Sequence, residues 1–214
     1  MNFLHILLTD NNNDVSLSNN LRFQKKSWQV DFETYYKHSQ NISRASSGTP
    51  ESVGTLPEGE KGTSNVYGAD LMISRNKKPL STWVNLSYTK TIWQFSELSS
   101  VPILAYYDQP LSFSISNVYE KNRWILSIGW TIKSGIPNQS VNLRENEYSK
   151  NGRFSPFHQL DASIDYKLLK KGKKWEGLIG ISILNIYNRE NVIELYNDQG
   201  ARINNLPRTT LGIA

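Results

Sequence analysis

Asp161 and Asp165 are the closest the sequence comes to a paired-carboxylate site. They lie in QLDASIDYKL, where Leu160, Ala162, Ile164, Tyr166 and Leu168 are apolar at every second position. Such alternation marks a strand, so both aspartates share its polar face, but four strand residues separate them by ~13 Å. That is too far for two carboxyls to divide acid and base work at one bond, and solvated side chains are the simpler reading. Other chemistry is sparse. There is no cysteine, and His5, His38 and His158 stand alone, which leaves no thiolate nucleophile and no metal-ligand spacing. Gly48, Gly54, Gly59 and Gly62 are scattered through one stretch with no helix following, unlike a phosphate-cradling loop. The expectation is a protein that is not an enzyme and carries no cofactor or metal. Four aromatics in one long connection, Trp93, Phe95, Tyr106 and Tyr107, are the candidates for ligand contact; packing within the loop is their plainer role.

These side chains hang on strands. After the turn Lys170-Lys171-Gly172-Lys173-Lys174 the alternation of the Asp161 strand resumes with Trp175, Gly177, Ile179, Ile181 and Ile183, which makes a hairpin. Six earlier stretches repeat the pattern. Their apolar positions are Val15, Leu17, Leu21 and Phe23; then Trp28, Val30, Phe32 and Tyr36; then Tyr67, Ala69, Leu71 and Ile73. Val84, Leu86 and Tyr88 form the fourth, Leu111, Phe113, Ile115 and Tyr119 the fifth, and Trp124, Leu126, Ile128, Trp130 and Ile132 the sixth. A stub of a ninth is expected from Thr209. The fold expected is all-β, an antiparallel up-and-down meander of about eight strands.

Bulk composition narrows the partners. The net charge of +5 is modest, and Lys and Arg are scattered through turns without forming a stripe, so no nucleic-acid partner is expected. No apolar run approaches the ~20 residues of a spanning helix, whereas a barrel strand needs only ~9–11 alternating residues. The start, MNFLHILLTD, lacks the basic residue and small-residue cleavage site of a signal peptide, so the chain reads as cytosolic or as a piece of something longer.

The connections decide between a soluble core and lipid. Short ones at 24–27, 76–81, 120–123 and 169–174 alternate with long polar ones at 38–64, 93–110, 134–158 and 186–208. Transmembrane barrels segregate short turns and long loops in this way, whereas sandwiches mix them. Each short turn is basic and is followed closely by a tryptophan: Trp28, Trp83, Trp124 and Trp175. Trp28, Trp124 and Trp175 are therefore the expected membrane-interface girdle, with Trp83 on the polar face by parity; Tyr36, Tyr67, Tyr88 and Trp130 are candidates for the opposite girdle. The sum predicts an incomplete transmembrane β-barrel. A small self-closed eight-stranded barrel and a soluble β-sandwich binding module are the alternatives.

Several segments then resemble a known family. Tyr106-Tyr107-Asp108-Gln109-Pro110, the run Trp124 to Trp130, Ser134-Gly135-Ile136-Pro137, Pro156 to Asp161 and Asn185 to Asn191 resemble, in order, the late barrel of TonB-dependent outer-membrane receptors of the Bacteroidetes type. Glu33-Thr34-Tyr35-Tyr36-Lys37 and Gly68-Ala69-Asp70-Leu71 are similar to upstream segments of that family. Leu111 stands where the family usually has histidine, and His158-Gln159-Leu160-Asp161 replaces its HRLD pattern. The resemblance implies that residues 1–214 are part of a barrel of about 22 strands. It implies short turns in the periplasm, long loops outside, a location in the outer membrane, and contact with its lipid. A plug domain and the TonB energy-transducing protein would be partners of the full receptor, which imports a nutrient ligand of siderophore, glycan or peptide class. The chain contains neither plug nor Ton box, so transport by it alone is not expected.

Overall fold

The computed structural model describes residues 2–3, 14–43, 61–96, 101–105, 107–142, 147–168, 177–191, 194–195 and 201–202. The strands run in chain order as β1 (Asn2–Phe3), β2 (Asp14–Lys25), β3 (Trp28–Ser43), β4 (Lys61–Lys77), β5 (Leu80–Gln94), β6 (Ile103–Leu104) and β7 (Leu111–Lys121). Then follow β8 (Trp124–Lys133), β9 (Pro137–Asn142), β10 (Glu147–Arg153), β11 (Phe157–Lys167), β12 (Leu178–Ile183), β13 (Glu194–Leu195) and β14 (Ala201–Arg202). One large sheet has the order β1-β2-β3-β4-β5-β7-β8-β11-β12, with β6 added to β5. Its eight long members pair antiparallel, each with the next in sequence, so the expected meander of eight strands is the fold.

Antiparallel register carries the sequence alternation across the sheet, because residues directly opposite share a face. Phe23, Val30, Ile73, Val84, Ile115, Trp130 and Leu160 form one continuous apolar row. The next row toward the long loops runs Leu21, Phe32, Leu71, Leu86, Phe113 and Ile132. On the opposite face Arg22, Asp31, Met72, Asn85, Ser114, Thr131 and Gln159 form a polar row. A one-residue slip anywhere would exchange the two faces.

Burial runs opposite to that of a soluble sheet. Large apolar side chains are exposed, among them Phe23, Phe32, Leu86, Leu126, Ile128, Ile164 and Ile181. Polar-face residues such as Asp31, Ser64 and Thr91 are buried. A sheet curved with its polar side concave has this property. Among the described residues no second layer covers the apolar face; buried hydrophobics gather instead at the long-loop end, around Phe95 and Ile103 with Ile42 and Trp93 against them. Nor do β2 and β12 pair with each other, so the described sheet is open.

Two-residue turns join β2 to β3 and β7 to β8, where Lys26 and Asn122 take left-handed backbone (φ 53° and 58°), a conformation asparagine tolerates well. The long connections hold structure that the sequence pattern did not announce. Residues between β8 and β11 form a separate hairpin, β9 with β10. Strands β3, β4 and β5 run 16, 17 and 15 residues, several more than the ~9–11 that cross a bilayer, and the excess lies at their loop ends. The start of a ninth strand at Thr209 lies outside the described residues.

Candidate functional site

The polar face is hollow. Asn20 and Arg22 of β2, Asp31 and Glu33 of β3, Asp70 and Met72 of β4 and Asn85 and Ser87 of β5 line a cavity of about 440 Å³. Arg22 pairs with Asp31, whose second oxygen accepts a hydrogen bond from Gln29 Nε2 at 2.6 Å. Glu33 and Asp70 stand directly opposite in register, which places two carboxylates side by side in the hollow. All seven carboxylates of the eight long strands (Asp14, Asp31, Glu33, Asp70, Glu120, Asp161 and Asp165) belong to this face. Asp161 and Asp165 serve separate partners: Asp161 accepts from the Asn185 amide at 2.8 Å and Asp165 from Ser163 Oγ at 3.4 Å. They form no common site.

At the loop end of the same face, three of the four aromatic candidates come together. A β-bulge between Ser39 and Ile42, with Asn41 at φ 55°, shifts the parity of β3 and sets Ile42 opposite Gly62 on the polar side. Ile42 then lines a second cavity, of about 320 Å³, with Lys37, Ser39, Ser64, Val66, Trp93, Phe95 and Tyr107. Trp93 meets Phe95 edge-on at 6.0 Å and Tyr107 at 5.7 Å. Phe95 is 1% exposed and forms the floor; Tyr107 is 51% exposed and forms the rim. Tyr106 lies outside the described residues. An aromatic wall beside one lysine and two serines suits a ligand with an apolar face and polar edges.

Two polar clamps hold the loops that frame this end. Asp108 is buried; its Oδ1 accepts from the Thr91 amide at 2.8 Å, and its Oδ2 pairs with Arg153. Arg153 Nη1 also donates to the Gly135 carbonyl at 3.0 Å, and Gln109 Nε2 donates to the Ser134 carbonyl at 2.9 Å. Residues 107–110 and 134–137, from segments singled out separately in the sequence, are thus parts of one joint. The second clamp joins 156–161 to 185–191. Asn191 Oδ1 accepts from the His158 amide at 3.1 Å and its Nδ2 donates to the His158 carbonyl at 3.2 Å. Asn185 brackets Arg189 in the same manner, and Arg189 Nη2 donates to the Pro156 carbonyl at 3.2 Å.

Trp28 and Trp124, expected in a girdle, sit on the apolar face beside the short turns. Trp28 and Trp124 are about half exposed, Arg75 lies over the Trp28 ring at 5.4 Å, and Trp124 packs on Tyr166 at 4.7 Å. Trp83 stands on the polar face between Ser74 and Ser116, as its parity requires. Trp175 lies outside the described residues. Of the second set, Tyr36 faces Tyr67, Tyr88 faces Leu111, and Trp130 falls deeper, between Ile115 and Leu160. Among the described residues no group of histidines and carboxylates is placed to hold a metal ion, and no helix is long and apolar enough to cross a membrane.

Comparison with known protein families and with curated proteins returns no match for this chain.

Proposed function

We propose that these residues form a section of the wall of an outer-membrane receptor barrel of the TonB-dependent kind. The section's role is structural and ligand-contacting, without catalysis. Lipid covers the apolar face, and the polar hollow faces a lumen where the plug of the full receptor packs. The loop-end aromatics contribute to a nutrient-binding vestibule. One observation carries the reading: across eight strands the exposed side is apolar and free of carboxylates, while every strand carboxylate lies on the hollow side. A sheet destined for water with a covered core would have its exposed side polar. Eight strands amount to about a third of a 22-stranded wall, and the open arrangement of β2 and β12 favours membership of such a wall over self-closure.

The absence of cysteine supplies the test. Single cysteines at Leu86 and Ser87, carrying nitroxide labels, are expected to separate in the reconstituted chain. The Leu86 label should collide with membrane-dissolved oxygen and the Ser87 label with a water-soluble nickel complex. A Leu86 label shielded from both reagents would place that face against protein and overturn the membrane assignment.

A further inference from the structure

We propose that the apolar face carries, at its short-turn end, a binding site for the phosphate-bearing headgroup of an anionic lipid, formed by Lys25, Trp28, Arg75 and Lys77. The inference rests on the membrane reading above and adds to it a specific ligand chemistry.

Register brings the four residues together. Lys25 stands opposite Trp28, Trp28 opposite Arg75, and Lys77 follows Arg75 on the same face. With strands ~4.8 Å apart and same-face neighbours ~7 Å apart along a strand, the three cations lie within reach of one headgroup. Lys121 opposite Trp124 continues the band farther along the same edge.

The charge on the two faces differs at this level. On the hollow side, Lys78 and Lys167 both pair with Glu120, the first at 3.1 Å. On the apolar side none of the eight long strands supplies a carboxylate, and among the described residues Lys25, Arg75 and Lys77 have no ion-pair partner. Arg75 Nε is buried without a hydrogen-bond partner, and its guanidinium rests over Trp28. A guanidinium beside an indole offers a forked set of N–H donors that matches a tetrahedral anion such as a phosphate. Immediately beyond the band, on the same face, come Phe23, Val30, Ile73 and Val84. A free phosphate ion has no use for that surface. A lipid has a tail to lay on it.

The test uses the full chain in flotation with vesicles of phosphatidylcholine alone or doped with phosphatidylglycerol. A Lys25→Gln, Arg75→Gln, Lys77→Gln variant is compared with a charge-matched Lys61→Gln, Lys90→Gln, Lys133→Gln variant from the loop end. Each basic side chain near an anionic surface contributes about 1 kcal/mol, so the first variant should lose on the order of 100-fold of the preference for doped vesicles. The second should keep it, and both should bind undoped vesicles as the parent does. Equal losses in the two variants, or no loss in the first, would overturn the site. So would abolition of the preference by inorganic phosphate at constant ionic strength, which would assign the residues to a soluble anion. Flotation with undoped vesicles but no preference for doped ones overturns the headgroup site and leaves the membrane reading standing. Flotation with neither overturns both.

Discussion

Arg153 pairs with Asp108 across 45 residues of chain, and the carboxylate between them is 1% exposed while the guanidinium is 29% exposed. The pair therefore fixes the Thr91 end of β5 through Asp108, and the 134–137 segment and the end of β10 through Arg153. An unpaired charge left there would be far costlier than the pair is worth, because the desolvation penalty remains when the partner goes.

Replacing Arg153 with methionine should accordingly destabilise the chain by about 2–4 kcal/mol, since it strands the Asp108 carboxylate. The double change Arg153→Met, Asp108→Leu should recover a good part of the loss. Urea unfolding in detergent micelles measures both, and a double variant worse than the sum of its singles would contradict the isolated-charge account.

The two left-handed asparagines of the 185–191 segment, Asn185 (φ 53°) and Asn188 (φ 52°), should respond differently to glycine. Glycine tolerates that backbone, so Asn188→Gly is expected to stay within about 0.5 kcal/mol of the parent. Asn185 is buried; it accepts from the Arg189 amide at 3.2 Å and donates to the Arg189 carbonyl at 2.9 Å. Asn185→Gly should lose about 1–3 kcal/mol through the unpaired groups it leaves. The same unfolding assay distinguishes the pair.

Gly68 is irreplaceable for a different reason. A methyl group there would run into the Tyr88 carbonyl and the Tyr35 ring, and the Tyr35 hydroxyl is hydrogen-bonded to Thr89 Oγ1. Tyr35 thus lies across the bare backbone of its partner strand, filling the space a side chain would take. Gly68→Ala should cost about 1–3 kcal/mol by overpacking. At Gly129 a methyl group would meet nothing closer than Ser116 Oγ at 3.6 Å, so that position should accept alanine with little change.

Face assignment predicts a contrast between neighbours in β5. With lipid over the apolar face, as proposed, Leu86→Arg would place a charge in hydrocarbon and should destabilise the reconstituted chain by about 2–4 kcal/mol, while Ser87→Arg, beside Glu33 and Asp70 in the hollow, should be nearly neutral. Equal penalties at both positions would contradict a lipid boundary on one side only.

How far the fold was legible follows from what carries each element. The eight long strands were readable because side-chain alternation survives in the residues themselves, and strand order then followed from short turns between neighbours. The loop-end extensions were not. Residues 61–66 pair with 37–43 through main-chain bonds, while the side chains there (Lys61, Gly62, Thr63, Ser64, Asn65) show no two-faced pattern. The β9–β10 hairpin, PNQSVN against EYSKNGR, is hidden for the same reason. At the candidate site, Trp93, Phe95 and Tyr107 were found as a cluster of types, but their division into floor and rim depends on a bulge at Ser39–Ile42 that no spacing reveals. Asp108 and Asn191 attracted notice only as parts of familiar segments. Their work depends on donors from loops far along the chain, which only folding brings within reach.

Each of the eight long strands of the sheet pairs with the long strand before it and the long strand after it in the chain, and besides these only the two-residue β1 and β6 are added, to β2 and β5. The wall is therefore one-dimensional in its energetics, as repeat arrays are: each hairpin's stability is its own plus one interface on either side. Damage at Gly68 should be felt in β3 to β5 and fade before β11, and variants in separated hairpins should combine additively. The same connectivity lets such a sheet lengthen by one strand at a time without rearranging what has already formed.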